Sequence, residues 1–149
     1  MGLKSFEEML NFLSEKIREF QEADFQSFRE HVDAEKWRAL PSPLLDQAGV
    51  YIIYEEGEVI YVGATQRKGR TIRDRINDLF YKPTPGRRFK HTLTSKLINK
   101  LQRFRKVEDV RNYFLKKCKF KVIGTKTSRD AKLLEAVLIY LLNPKYNIR

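Results

Sequence analysis

The sequence predicts an α+β fold: a small three-stranded antiparallel sheet flanked by helices, with an N-terminal helical extension. Three observations carry this. Two β-rich runs, 49–54 and 58–63, are separated by Glu55-Glu56-Gly57, a hairpin signal. A third apolar run at 119–123 stands between stretches of helical periodicity. Pro41-Ser42-Pro43 divides all of this from an amphipathic N-terminal segment, because proline stops a helix and biases the residue before it to extended geometry. A chain of 149 residues, 42% hydrophobic, suits one cored domain with an extension.

In chain order, 5–20 reads as an amphipathic helix, with Ser5 and Glu8 placed as a capping box and Phe6, Met9, Leu10, Leu13, Ile17 and Phe20 at helical spacing. A second helix is predicted over 23–38, carrying Phe25, Phe28, Val32 and Trp37. Residues 1–40 thus form the extension, 41–48 a linker, and 49–149 the main domain. Within it, helices are predicted at about 70–80, 92–105, 108–117 and 128–142. The segment 81–88 (YKPTPGRR) is a basic loop with strong turn chemistry. Cys118 opens the third strand as a small core residue, and as the only cysteine it forms no intramolecular disulfide. No apolar run approaches the roughly 20 residues of a membrane span, and no signal-peptide pattern is visible, so the expectation is a soluble, cytoplasmic protein.

Hairpin register decides where the two strand tyrosines point. A two-residue Glu56-Gly57 turn sets Tyr51 opposite Val62 and the tyrosines on opposite faces. A three-residue loop with a bulge at Gly57 pairs Tyr54 with Glu58 and Tyr51 with Tyr61. The second register also gathers Val50, Ile52, Ile60 and Val62 on one apolar face, and is preferred for that reason. It leaves two phenols side by side with the open backbone of Gly63 next to them. An ordinary cross-strand aromatic pair and a functional site both fit that geometry.

Charge narrows the function. Thirty Lys and Arg against nineteen Asp and Glu leave +11. Residues 1–40 carry six basic and nine acidic groups, residues 41–63 none and four, and residues 64–121 nineteen and four. A central block holding more than the whole net charge points to a polyanion, with a phosphate backbone the obvious partner. Arg67, Lys68, Arg70 and Arg73, and then Arg87, Arg88, Lys90, His91, Lys96, Lys100 and Arg103, are the candidate nucleic-acid-binding residues. Arg75 differs from them, since Ile72 and Ile76 flank it and could lean it across the sheet edge. Glu135 stands at helical spacing from Ala131, Leu138 and Ile139, on or beside an apolar stripe. A carboxylate there needs an arginine partner, a metal ion or a catalytic use. Two histidines, His31 and His91, are too few and too scattered for a histidine zinc site, and no Ser-His-Asp order or phosphate-cradling glycine loop is present.

Taken together these elements resemble the GIY-YIG nuclease family. Gly49-Val50-Tyr51, nine intervening residues and Tyr61-Val62-Gly63 look like the two signature tripeptides, with Val in place of Ile. The stretch from Thr71 to Ile76 is similar to the family's helix bearing the catalytic arginine, with Arg75 the better match. The run LLEAVLIYLLNPKYN looks like its final helix with the metal-binding glutamate, Glu135, and the Pro-x-Tyr-Asn ending from Pro144 to Asn147. The resemblance spans about residues 49–147 and leaves the extension outside.

It implies a metal-dependent endonuclease that hydrolyses phosphodiester bonds, most naturally of DNA, in repair or restriction. Tyr51 would be the general base, in cationic surroundings that depress its pKa or lend a relay. Tyr61 would orient water or phosphate, Arg75 stabilise the phosphate, and Glu135 hold Mg²⁺ or Mn²⁺. Gly49, Gly63 and Asn147 would support the site. Two positions depart from the family pattern: Leu79 stands where a histidine or tyrosine is common, and Ala64 where a lysine is. A catalytically silent nucleic-acid-binding module of the same fold is the alternative, and the N-terminal helices are a candidate surface for a homodimer or a protein partner.

Overall fold

A computed structural model of the chain describes residues 5–22, 25–27 and 45–147. The elements are α1 (Phe6–Glu22), β1 (Phe25–Ser27), β2 (Gly49–Glu55), β3 (Glu58–Ala64), α2 (Ile72–Leu79), α3 (Thr92–Ser95), α4 (Val107–Lys117), β4 (Cys118–Gly124) and α5 (Ser128–Leu142). The α+β prediction holds. The three expected strands pair antiparallel around a central β2, and short β1 joins at the β4 edge, giving the order β1-β4-β2-β3. That strand falls inside the predicted second helix, which at Phe25–Ser27 is therefore corrected: the backbone there completes ladder hydrogen bonds with Lys119–Lys121 instead. Phe28, His31, Val32, Trp37 and the Pro41-Ser42-Pro43 break lie outside the described residues.

The helix starts follow local chemistry. Ser5 Oγ accepts the Glu8 amide at 3.1 Å, half of the expected capping box. Thr71 and Asp74 form the complete box that opens α2. The predicted 92–105 helix is shorter: α3 passes into a π-helical turn at Lys96–Lys100 and stops near Gln102, whose φ is 51°.

The hairpin register is the instructive correction. The turn is the two-residue one, with Glu56 and Gly57 both at positive φ (50° and 82°) and Glu55 paired with Glu58. That conformation twists with the strands, so it outcompetes the longer loop. Tyr54 pairs with Val59, and then the register shifts so that Ile53 meets Tyr61 and Tyr51 meets Gly63. Ile60 is the bulged residue. One extra residue returns the two phenols to a common face, as diagonal neighbours and not opposite partners.

Ile60 thereby leaves the apolar face predicted for it. It packs with Tyr51 and Ile53 against Ile72, Ile76, Leu79, Leu97 and Phe114, while Val50, Ile52, Val62 and Ala64 face Ala131, Leu134 and Leu138 of α5. Both sheet faces are buried, so the tyrosine face is core as well as site.

Candidate active site

Tyr51 is fully buried, and its ring lies over Gly63, its cross-strand partner. A Cβ built on Gly63 would overlap Tyr51 Cζ and Oη, so the glycine is what makes room for the phenol. Gly49 is equally constrained, because a Cβ there would overlap the Ile123 carbonyl of the neighbouring strand. Tyr61 is half-buried, with its ring centroid 6.3 Å from that of Tyr51. The Tyr51 hydroxyl is hydrogen-bonded to His91 Nε2 at 2.5 Å, and the His91 ring also meets Tyr61 edge-on at 5.5 Å.

His91 is the clearest correction among the candidate residues. Expected on the nucleic-acid surface, it is 1% exposed. Its position at the N-cap of α3, where Nδ1 accepts the Leu93 amide at 3.0 Å, turns the ring inward. Capping chemistry immediately before Thr92 was the local signal, but sequence spacing gave no hint that Tyr51 lay forty residues back in space beside it.

Arg75 sits in the second turn of α2, largely buried, and its Nη1 donates to Asp78 Oδ2 at 3.1 Å. Asp78 also accepts from Arg70 Nη2 at 2.5 Å, so one carboxylate holds two guanidinium groups. Sequence reasoning passed over Asp78, whose signal was its spacing of three and eight residues from the two arginines. Among the described residues Arg75 Nε is buried without a hydrogen-bond partner. A donor left this way is costly and marks a place for an acceptor.

Glu135 comes from α5, half-buried beside buried Ala131, Leu134 and Leu138 as the apolar stripe predicted. Among the described residues it forms no ion pair, so the salt bridge to Arg75 left open by the sequence is not made. Burial raises the pKa of its carboxyl above the ordinary 4.5, opposed by the charges of Arg75 and Lys132.

The same groups act on the phenols. Tyr51 is raised well above 10.0 by burial first, then by Tyr61 and Glu135, with Arg75 opposing. Tyr61 is raised by burial and Glu135, again against Arg75. The expected depression of the Tyr51 pKa is therefore absent in the chain by itself, because desolvation outweighs one guanidinium. Burial and Arg75 together hold His91 well below 6.5, a neutral imidazole.

Asn147 closes the arrangement. Its side chain accepts from the Val62 amide and donates to the Val62 carbonyl, both at 2.7 Å, pinning the chain end to the free edge of β3 beside Tyr61. A cavity of about 410 Å³ opens there, bordered by Tyr61, Thr92, Lys96, Lys100 and Asn147. Another of about 390 Å³ is bordered by Arg67, Arg70, Arg75 and Lys90.

No protein-family model and no curated protein sequence matches the chain. Among solved structures it is similar to the GIY-YIG N-terminal endonuclease domain of UvrC from Thermotoga maritima. A point mutant of that domain bound to the catalytic divalent cation is 23% identical with a TM-score of 0.46, over 78% of this chain and 100% of that one. A second point mutant gives 25% and 0.45, and the domain bound to magnesium gives 25% and 0.42, each over the same shares. The likeness is to a GIY-YIG endonuclease domain.

Gly49-Val50-Tyr51 and Tyr61-Val62-Gly63 lie on adjacent strands, with Arg75 and Glu135 on the helices α2 and α5. Leu79 and Ala64, the two departures from the pattern, are core residues at 0% and 1% exposure, and neither offers a polar group. Arg67, Lys68, Arg87, Arg88, Lys90 and Lys100 are exposed. Arg73 is paired with Asp46 at 2.6 Å, and Lys96 donates to the Tyr146 carbonyl at 3.0 Å. Arg103 is committed elsewhere, bridging Glu55, Tyr113 and Tyr146. Among the described residues no helix is long and apolar enough to cross a membrane, and no cluster of three metal-ligating side chains occurs.

Proposed function

We infer that the chain is a divalent-metal-dependent endonuclease that hydrolyses phosphodiester bonds of DNA, with residues 49–149 as its catalytic unit and residues 1–40 as an N-terminal extension that adds β1 to the sheet. One observation carries the reading: Glu135, half-buried and without an ion pair among the described residues, acts electrostatically on buried Tyr51 and half-buried Tyr61 together with Arg75, whose Nε has no acceptor among those residues. The free carboxylate suits a hard cation that keeps most of its water, and a single ligand from the protein is enough for Mg²⁺ or Mn²⁺. Bound by Glu135, such an ion would offset the carboxylate's effect on Tyr51 and stabilise charge on the phosphate and leaving oxygen.

The chain's own residues supply the rest. Arg75, held at Nη1 by Asp78, keeps Nε free to donate to a non-bridging phosphate oxygen as charge builds there. Tyr51 must first release its own hydrogen to solvent, and only the resulting phenolate would take a proton from the attacking water; Tyr61, which borders the open cavity, orients water or phosphate. Gly63 leaves the room that the Tyr51 ring occupies, Gly49 permits close packing against Ile123 of β4, and Asn147 keeps β3 in place beside Tyr51. The exposed cations of the 67–70 and 87–90 segments grip the backbone without choosing sequence.

A plasmid-nicking assay with Mg²⁺, Mn²⁺ and EDTA lanes tests this. Glu135→Ala should abolish cleavage and leave DNA binding nearly intact. Equal loss of both would contradict the role of Glu135. Tight binding by the native chain without metal-dependent cleavage would establish the silent binding module, the reading favoured by the apolar Leu79 and Ala64.

A further inference from the structure

Among the described residues the His91 side chain makes two hydrogen bonds, and one of them dictates the chemistry of the other. Nδ1 receives the backbone N–H of Leu93 at 3.0 Å. A backbone amide can only donate, so Nδ1 carries a lone pair and no hydrogen. The neutral ring then has its single hydrogen on Nε2, the atom 2.5 Å from the Tyr51 hydroxyl oxygen. Tyr51 is 0% and His91 1% exposed, so the bond between them is made inside the core.

We propose that His91 is a positioning residue for the reaction inferred above: as a neutral imidazole with its hydrogen on Nε2, it donates to the Tyr51 oxygen and turns the phenol's own hydrogen away from itself. The direction matters. A histidine beside a tyrosine base invites the opposite assignment, in which the imidazole accepts the phenol's proton. Here the Leu93 amide occupies the only basic nitrogen, so His91 cannot relay a proton from Tyr51. Arg75 can only donate, so the phenol's hydrogen is left to face Tyr61 from β3 or Glu135 from α5, the groups assigned above to water, phosphate and metal. A donated hydrogen bond also strengthens when the phenol gains negative charge, so it serves the ionised form more than the neutral one.

Two measurements test this, and the first does not depend on cleavage. Long-range ¹H–¹⁵N spectra of the full chain report which ring nitrogen of His91 carries the hydrogen. The Nε2-protonated tautomer at neutral pH is expected; an Nδ1-protonated ring, or an imidazolium at neutral pH, would overturn the proposal.

The second uses two amides. Asn places its carbonyl where Nδ1 stands and can cap α3, but cannot reach Tyr51. Gln places an N–H near Nε2 and can donate to Tyr51, but loses the cap. His91→Asn should therefore cut the metal-dependent nicking rate by roughly 10- to 100-fold, the span of a hydrogen bond to a group that acquires charge, and His91→Gln should recover much of it. A residue that only caps its helix predicts the reverse order, with His91→Asn the more active. That order would sink the idea. A native chain that never nicks would instead refute the endonuclease reading, and the tautomer would still decide the bond's direction.

Discussion

Replacing Gly63 by Ala probes the packing on which Tyr51 depends. The added methyl would fall inside the contact envelope of Tyr51 Cζ, Oη and Cε1, the last at 2.8 Å. Tyr51 is fully buried and cannot swing into water, so its ring must shift within the core. Overpacking of this kind costs about 1–3 kcal/mol. Disturbing the buried Tyr51–His91 hydrogen bond costs about 1 kcal/mol more. The sum, about 2–4 kcal/mol, corresponds to a thermal midpoint lowered by roughly 5–15 °C for a chain of this size.

Urea unfolding of Gly63→Ala in the native and Tyr51→Ala backgrounds isolates the cause as a double-mutant cycle. With the ring gone, Ala at 63 should cost almost nothing, or stabilise by about 0.5–1 kcal/mol, because glycine is the poorer strand residue. Equal costs in the two backgrounds would mean that the glycine is required for some reason other than the phenol.

Two other outcomes follow from the electrostatics. Burial raises the Glu135 pKa in the fold, so its ionised form is disfavoured relative to the unfolded chain. Such a group favours the fold below its unfolded value near 4.5, and that contribution is lost as pH rises through the higher folded value. Glu135→Gln should accordingly raise the thermal midpoint at neutral pH, with the gain vanishing in acid, and it should remove any stabilisation by Mg²⁺; a variant less stable at neutral pH would refute this. Arg87→Ala and Arg88→Ala, both exposed, should each reduce the salt slope of DNA binding by about 0.9 without changing the metal requirement. Unchanged slopes would remove the 81–88 loop from the interface.

Much of this molecule can be read from local chemistry. The hairpin signal at 55–57, Ile72 and Ile76 of α2 and the apolar period of α5 each lie within a few residues, so most of the elements and their order were legible, though not the turn type or β1. The apolar stripe around Glu135 likewise announced a carboxylate in an unfavourable place, since helical spacing alone sets its neighbours.

What depended on assembly was everything that joins distant segments. The bulge at Ile60 put the phenols on one face by a route the hairpin signal does not contain, because a bulge is selected by packing on both sides of the sheet. Phe25–Ser27 became a strand because β4 offered an unpaired edge, which overrides local helical preference. His91 moved from expected surface to buried partner of Tyr51, and Asp78 came to hold two arginines, because burial and hydrogen-bond pairing are settled only when helices dock on a sheet. Sequence determined which groups this chain could bring to a phosphate; three-dimensional packing decided which of them face one another, and with what proton between them.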